Sequence, residues 1–479
     1  MPVDPEKVSR REFVSRSTAT AVGVAVASAG LGRRVLGAND RVVLASIGIR
    51  SQGNSLKRGF ARLANVEIKT LCDPDANLFA SRVNDQRLKS VPSFKPGTEQ
   101  DLRRVLDDKD IDGVIIATPN HWHALATIWA LQAGKHVYVE KPSSHTVWEG
   151  RKMIEAAQKY GRLVQVGTMN RSRPEVQKAI RFLHEGGLGE VFMARGLCFK
   201  GRPAIGRYPD GPMKPGDKYR LHVETDDYEP TYDEAYLSKV NYDLWLGPAP
   251  ARPFNPNRFH YNWHWHWDFG NADSGNQGPH QFDIARWGLG KKEHPVTVHT
   301  IGGLFGQGDT SQETPNVETS TFTYADGKVL EFATRGVFTN DEGTQKIGNL
   351  FYGTKGWMWV DGDGRTWQSY FGRKNEKGPG GNEAPPADAQ TDPRVLTSTD
   401  FPHYQNFVDA IRAGDPKKLA CDAEEGHLSS SLAHLGNISY RVGRELRFDG
   451  KTEKFVADPK ADELLTRPYR APYVVPDKV

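Results

Sequence analysis

Arg41-Val-Val-Leu-Ala-Ser-Ile47 runs into Gly48-Ile-Arg-Ser-Gln-Gly53. A helix-like stretch to about Leu63 follows, then Val66-Glu-Ile-Lys-Thr-Leu-Cys72 and Asp73. The two apolar runs suit buried parallel strands, which are hydrophobic on both faces instead of alternating. Strand, glycine turn, helix, strand and acid, in that order, form the fingerprint of a dinucleotide-binding unit. Gly48 permits the tight turn, Gly53 lets the helix pack closely on the strand, and the helix N-terminus then faces a pyrophosphate. Asp73 lies 25 residues after Gly48. A carboxylate there accepts hydrogen bonds from the ribose hydroxyls and repels a 2′-phosphate, so NAD is favoured over NADP. The middle glycine of the usual pattern is Arg50. Either its side chain reaches the phosphates or the turn is shaped differently.

The same alternation continues downstream. Ile111–Pro119 reads as a buried strand stopping at Thr118-Pro119, and Asn120–Ala133 as a helix closed by Gly134. Lys135–Pro142 is a further strand ending in Glu140-Lys141-Pro142, Thr146–Tyr160 a helix, and Leu163–Val166 the last strand. Repeated β-α units imply an open, doubly wound parallel sheet. Ligands bind outside the carboxyl ends of such strands, where Thr118, Pro119, Glu140 and Lys141 fall.

The chain resembles the Gfo/Idh/MocA oxidoreductases, a family that includes glucose–fructose oxidoreductase and inositol dehydrogenase. The resemblance rests on Gly48–Gly53, Asp73, Ala117-Thr-Pro-Asn-His-Trp-His123, Gly134–Pro142 and Gly275-Asn-Gln-Gly-Pro-His-Gln-Phe-Asp283, so it runs from about residue 41 to about 290. It implies an α/β protein: an N-terminal Rossmann domain with a doubly wound parallel sheet, then a C-terminal α+β domain with a large, mainly antiparallel sheet through which subunits often pair. It also implies cofactor contacts from Gly48, Arg50, Gly53, Asp73, Thr118, Pro119, Asn120, His123, Glu140 and Lys141. The family's site combines the lysine of the Glu-Lys-Pro turn with an Asp-x-Gly-x-His-x-x-Asp helix. Lys141, Gly278, His280 and Asp283 match that pattern, whereas Asn276 stands in the first Asp position. An amide donates hydrogen bonds to a sugar but cannot take a proton.

Hydride transfer from a carbinol needs an acceptor for the hydroxyl proton and a donor for the emerging carbonyl. His280 is the natural base. Lys141 can stabilise charge on the oxygen, or act as the base itself if burial depresses its pKa. Asp283, three residues after His280, can orient the imidazole or bind substrate; capping a core helix is the alternative. A surface lysine and a satisfied core histidine are the structural readings of Lys141 and His280.

Tyr261-Asn-Trp-His-Trp-His-Trp-Asp268 alternates with a period of two. As a strand it places Trp263, Trp265 and Trp267 on one face and His264 and His266 on the other. Zinc held by His264, His266 and Asp268 is one reading, but residues two apart on a strand rarely converge on an ion, so no metal is expected. A carbohydrate platform fits better: indole faces stack on the sugar ring while His264, His266 and Trp263, with Asn276 and Asp283, meet the substrate. An aromatic core segment without a ligand is the other alternative.

Ser9-Arg-Arg-Glu-Phe-Val14 precedes an apolar, small-residue run from about Ser17 to Leu31. Paired arginines and a mild h-region resemble a twin-arginine signal, and the run is too short and too rich in Gly and Ala for a good transmembrane span. A disordered basic tail is the alternative. Export to the periplasm, or otherwise out of the cytoplasm, is expected, with cleavage after Ala27-Ser-Ala29 or near Ala38. That route carries folded proteins, so it suits a tightly bound cofactor. Net charge is +4, and residues 1–38 carry six basic groups against three acids. The body is therefore near neutral, which argues against a nucleic-acid partner. Three widely spaced cysteines form neither a metal pattern nor a disulfide framework.

The expected division is a signal and linker over 1–40, a Rossmann domain over 41–166, a substrate and oligomerisation domain over 167–458 and a tail over 459–479. Residues 200–260 read as a long surface excursion and 374–394 as a mobile loop. Antiparallel strands are expected between 297 and 360, helices over Phe401–Ala413 and Ala423–Val442, and a tail that wraps a neighbouring surface. His427 and His434 share a helix face for which a core or interface role is expected. The functional expectation is an NAD-dependent oxidoreductase acting on a sugar or cyclic polyol, with its cofactor tightly bound. The alternatives are an NAD-dependent glycosidase or lyase working by transient oxidation, and a non-catalytic sugar-binding protein.

Overall fold

The computed structural model describes residues 41–217, 219, 230–383 and 401–479. The twin-arginine segment, residues 384–394 of the expected loop and part of the expected surface excursion lie outside them. Val42–Val479 forms one compact unit.

Six strands make the first sheet: β1 (Val42–Ile47), β2 (Val66–Cys72), β3 (Gly97–Glu99), β4 (Gly113–Ile116), β5 (His136–Val139) and β6 (Val164–Val166). All pair in parallel in the order β3-β2-β1-β4-β5-β6. Every residue of β1 and β4 is buried, as a sheet covered on both faces requires. Helices α1 (Ser51–Ala61), α2 (Asn120–Gln132) and α3 (Val147–Tyr160) connect them, and α4 (Pro174–His184) and α5 (Ala272–Asn276) follow later in the chain. The start of α3 is written locally: the Thr146 side chain accepts from the Glu149 N–H, and Glu149 accepts from the His145 N–H. Gly161, at φ 60°, ends it.

The second sheet has ten strands. They are β7 (Val191–Cys198), β8 (Thr297–Gly303), β9 (Val317–Thr323), β10 (Val329–Arg335), β11 (Ile347–Gly353), β12 (Gly356–Asp361), β13 (Thr366–Phe371), β14 (Glu376–Asn382), β15 (Leu446–Asp449) and β16 (Lys454–Phe455). Their order is β14-β13-β12-β11-β7-β10-β9-β8-β15-β16. Only the central β7–β10 pair is parallel among the recorded pairings. Strict alternation of burial along β9 shows one face turned to a core. That core is filled by Phe282, Phe322, Phe332 and Leu432, from β9, β10 and the helices α6 (Gly278–Gly288) and α8 (Ala423–Val442).

Three expectations change here. The Glu376–Asn382 stretch, read as loop from its Gly and Pro content, is an edge strand, because backbone pairing to β13 needs no side-chain pattern. The described part of 200–260 encloses an aromatic core of its own, including Tyr219, Tyr232, Trp245 and Phe259. The 166/167 boundary is crossed by packing: α7 (Phe401–Ala413) supplies Tyr404, Phe407 and Val408 to the core around Leu44 and Phe60. Gln165 also donates to the His403 carbonyl at 2.7 Å. The tail lies on the Rossmann half of its own chain, with Arg467 paired to Glu149 at 2.8 Å and Tyr473 against Trp122.

Candidate active site

A cleft of about 840 Å³ opens at the carboxyl ends of β1, β2, β4 and β5, and its far wall belongs to the second sheet domain. Gly48 makes the turn at φ 79°, and a Cβ there would lie 2.6 Å from the Ala117 carbonyl oxygen. A Cβ on Gly53 would lie 1.8 Å from the Gly48 oxygen. The turn thus packs tightly between β4 and α1, which brings the N-terminus of α1 to the cleft, where a pyrophosphate fits. Arg50, Ser51 and Gln52 border it.

Asp73 closes the adenosine end. Its Oδ2 accepts from the Ile49 N–H and its Oδ1 from the Asp75 N–H, both at 3.0 Å. Burial pushes its carboxyl up to about 7, with Asp75 adding to the rise and the two N–H groups opposing it. Asp75 accepts from Tyr236 at 2.5 Å and bonds His260 at 2.9 Å. This brace, like His260 itself, escaped the sequence reading because its partners lie some 160 to 185 residues apart.

Thr118, Pro119, Asn120 and Glu140 line the middle of the cleft. Glu140 accepts from Gln52 at 3.0 Å. His123 also borders the cleft, but its Nδ1 lies 2.6 Å from the Pro142 carbonyl and its Nε2 2.8 Å from that of Thr118. Burial pushes it down to about 4, so the ring is neutral and its one N–H donates to one of these two carbonyls. The ring still borders the cleft.

Lys141 and His280 stand together at the substrate end. Lys141 Nζ donates to the Asn276 main-chain carbonyl at 2.5 Å. Burial lowers its pKa, and Lys200 and Arg202 add to the fall. His280 Nδ1 is buried without a hydrogen-bond partner among the described residues. Burial first, then Lys141, Lys200 and Arg173, holds its pKa well below the usual value. At neutral pH it is a neutral imidazole with a lone pair to offer. The Asn276 side chain reaches the Tyr261 hydroxyl at 3.4 Å. Behind them Arg202 clamps Asp273, with contacts of 2.5 and 3.1 Å.

Trp263 and His264 line the cleft, with their rings stacked 3.6 Å apart. They do so from a 3-10 helix over His260–Trp265, not from a strand. His264 Nδ1 bonds the Tyr261 carbonyl three residues back at 2.6 Å, a local contact that helical winding satisfies and an unpaired strand does not. The expected substrate contact of His266 fails with the strand. His266 is buried away from the cleft, 3.5 Å from Glu313, and Asp268 pairs with Arg252. His264, His266 and Asp268 therefore do not converge. Asp283 likewise does not reach the cleft or His280. It faces α8, accepting from Arg171 at 2.8 Å and from Ser429 at 2.7 Å. Tyr261, Met169, Arg173 and Arg365 line the site and were not read from the sequence. The basic run Asn170-Arg-Ser-Arg173 directly after β6 is the one signal that pointed there.

The two lobes define an NAD-binding oxidoreductase fold. A model described as "Oxidoreductase family, NAD-binding Rossmann fold" matches residues 44–168, and one described as "Oxidoreductase family, C-terminal alpha/beta domain" matches 230–350 and 392–475. The chain belongs to the Gfo/Idh/MocA family. A glycosyl hydrolase family 109 protein of Shewanella pealeana is 29% identical over 206 residues, 39% of this chain and 44% of that protein. An alpha-N-acetylgalactosaminidase of Shewanella oneidensis is 28% identical over 204 residues, 38% and 44% of the two chains. The matched segment thus spans less than half of these relatives. A levoglucosan dehydrogenase in complex with NADH superposes with a TM-score of 0.60 at 18% identity, covering 85% of this chain and 99% of that one. An aldose-aldose oxidoreductase of Caulobacter crescentus gives 0.58 at 17%, covering 85% and 100%. Both show the shared fold.

Proposed function

We propose that this protein is an NAD-dependent enzyme that transfers hydride between a nicotinamide cofactor and a hydroxyl-bearing carbon of a sugar or cyclic polyol, with the cofactor tightly held. One observation carries this reading: Lys141 and His280 face the same end of a single cleft whose other end holds the Gly48 turn and Asp73. Nicotinamide, when bound, supplies the hydride acceptor. Neutral His280 takes the hydroxyl proton, and Lys141 stabilises the charge that develops on the oxygen. Trp263 offers an indole face to the ring. Asp73 favours NAD over NADP.

A second reading is supported by the glycosyl hydrolase relatives. In it the same oxidation is transient: elimination of an aglycone follows, and the hydride returns. The two share every residue named above and part only in the net reaction. The test is purification without added nucleotide, measurement of nucleotide released on denaturation, and assay against free sugars and aryl glycosides. Net reduction of NAD by a sugar supports the dehydrogenase. Aryl-glycoside cleavage without net reduction supports the glycosidase. Absence of nucleotide binding would sink both.

The Ser9–Val14 segment is proposed to direct export by the twin-arginine route, which accords with a retained cofactor. Pairing of subunits through the second sheet is also proposed. It is supported by Phe192 and Ile301, on β7 and β8, which are 48% and 63% exposed.

A further inference from the structure

The substrate end of the cleft holds more positive charge than the proposed chemistry uses. Lys141 is held by a neutral partner, the Asn276 carbonyl. Lys200, just behind the wall, is held by another, the Gln277 amide oxygen at 2.5 Å. Arg365 enters from the turn between β12 and β13, and its Nε is buried without a hydrogen-bond partner among the described residues. Arg173 lines the same wall.

Asp273 is clamped by Arg202, and Asp283 by Arg171 and Ser429. Glu140 accepts from the neutral amide of Gln52 and is the strongest acidic influence on Lys141, and Asp363 is exposed at the rim. Among the described residues at this end, two carboxylates thus face four cations. Cations packed against amide oxygens are costly to bury unless a counter-charge arrives. The field they create reaches the reacting group, since Lys141, Lys200 and Arg173 all act on His280.

We infer that the substrate carries a fixed anionic group (a carboxylate, sulfate or phosphate) on its sugar or polyol ring, seated against Arg365 in the potential of Lys200 and Lys141. The planar guanidinium suits two oxygens of such a group. This rests on the proposed reading that a sugar or polyol occupies that end. It adds a criterion that the reading itself does not contain.

The test is calorimetric titration of the purified full chain with matched ligands: galactose against galacturonate, glucose against glucose 6-sulfate, and glucose against glucose 6-phosphate. We expect at least one charged ligand to bind about tenfold more tightly than its neutral partner, as one charge-assisted contact provides. Which pair responds identifies the anion. The advantage of the charged ligand over its neutral partner should shrink at about 0.5 M salt and in Arg365→Gln. Equal or tighter binding of every neutral partner overturns the inference, as does an advantage that survives in Arg365→Gln and in the Arg365→Gln/Lys200→Gln double variant. If those variants fail to fold, the salt response of the unaltered protein decides. Nucleotide content is measured on the same sample. Bound nucleotide without a preference for charge overturns this inference alone, whereas absent nucleotide overturns the proposed function.

Discussion

Lys141 Nζ donates at 2.5 Å to the main-chain carbonyl of Asn276, a residue 135 positions later in the chain. The bond joins the end of a Rossmann strand to the segment that opens α6. It aims the ammonium at the cleft and leaves the Asn276 amide free of it. Lys141→Ala should lower kcat by about 10²- to 10⁴-fold, the usual contribution of a positioned proton or charge donor. Nucleotide content should stay near that of the unaltered protein. Full turnover in the variant would remove Lys141 from the chemistry.

His280 sets the acidic limb of the pH profile. A base works deprotonated, and burial with three nearby cations holds this imidazole well below its usual 6.5. Activity should therefore persist as pH falls through 6.5 and decline only well below it. Lys141, lowered from 10.5, should bring the basic limb below that value, since it donates only when protonated. His280→Gln should remove the acidic limb. A limb at 6.5 or above that survives the substitution assigns the base elsewhere.

Asp73→Ala should weaken NAD binding by about tenfold through loss of hydrogen bonds from the ribose hydroxyls to the carboxyl, with NADP affected less. Fluorescence titration of both nucleotides checks this. An unchanged NAD to NADP ratio contradicts the assigned role.

Glu453 tests stability instead of chemistry. His294 and His427 lie 2.9 and 2.7 Å from its Oε1, and Arg151 bonds the same oxygen at 2.7 Å. His294, His427 and Glu453 bring metal-ligating atoms within 4.8 Å of one another, but the Arg151 guanidinium makes the cluster an ion-pair hub. Burial alone would raise the carboxyl; the hydrogen bonds outweigh it and hold the group far below its usual 4.5. A depressed carboxyl stabilises fully above the unfolded value and loses that contribution as pH falls below it. Glu453→Gln should cost about 3 kcal/mol near neutrality, as breaking a buried pair does. The deficit in denaturant midpoint should narrow below pH 4.5.

Replacing Arg10 and Arg11 together by Lys should leave the protein in the cytoplasmic fraction of a bacterial host, with catalytic properties unaltered. Cell fractionation checks this, and continued export of the variant would exclude the twin-arginine route.

The Rossmann half was legible because each of its signals is local. A buried run such as Val42–Ile47, a turn that only Gly48 permits and a cap such as Thr146 each act within a few residues. The α7 and α8 limits were legible for the same reason. The strand expected for Tyr261–Trp267 failed because a period of two fits a strand only when a neighbour is present to pair with it. Asp283 matched the family pattern, yet its surroundings, Arg171 and Ser429, come from elements more than 100 residues away.

Sequence alone therefore determined the fold class, the dinucleotide turn and the candidacy of Lys141 and His280, since strand periodicity and turn sterics are properties of short segments. Tertiary structure decided which candidates share the cleft, how Arg365 and Tyr261 join them, and that His266 and Asp283 lie away from it. Burial, partnering and electrostatic field are sums over residues brought together from the whole chain, and no local pattern contains them.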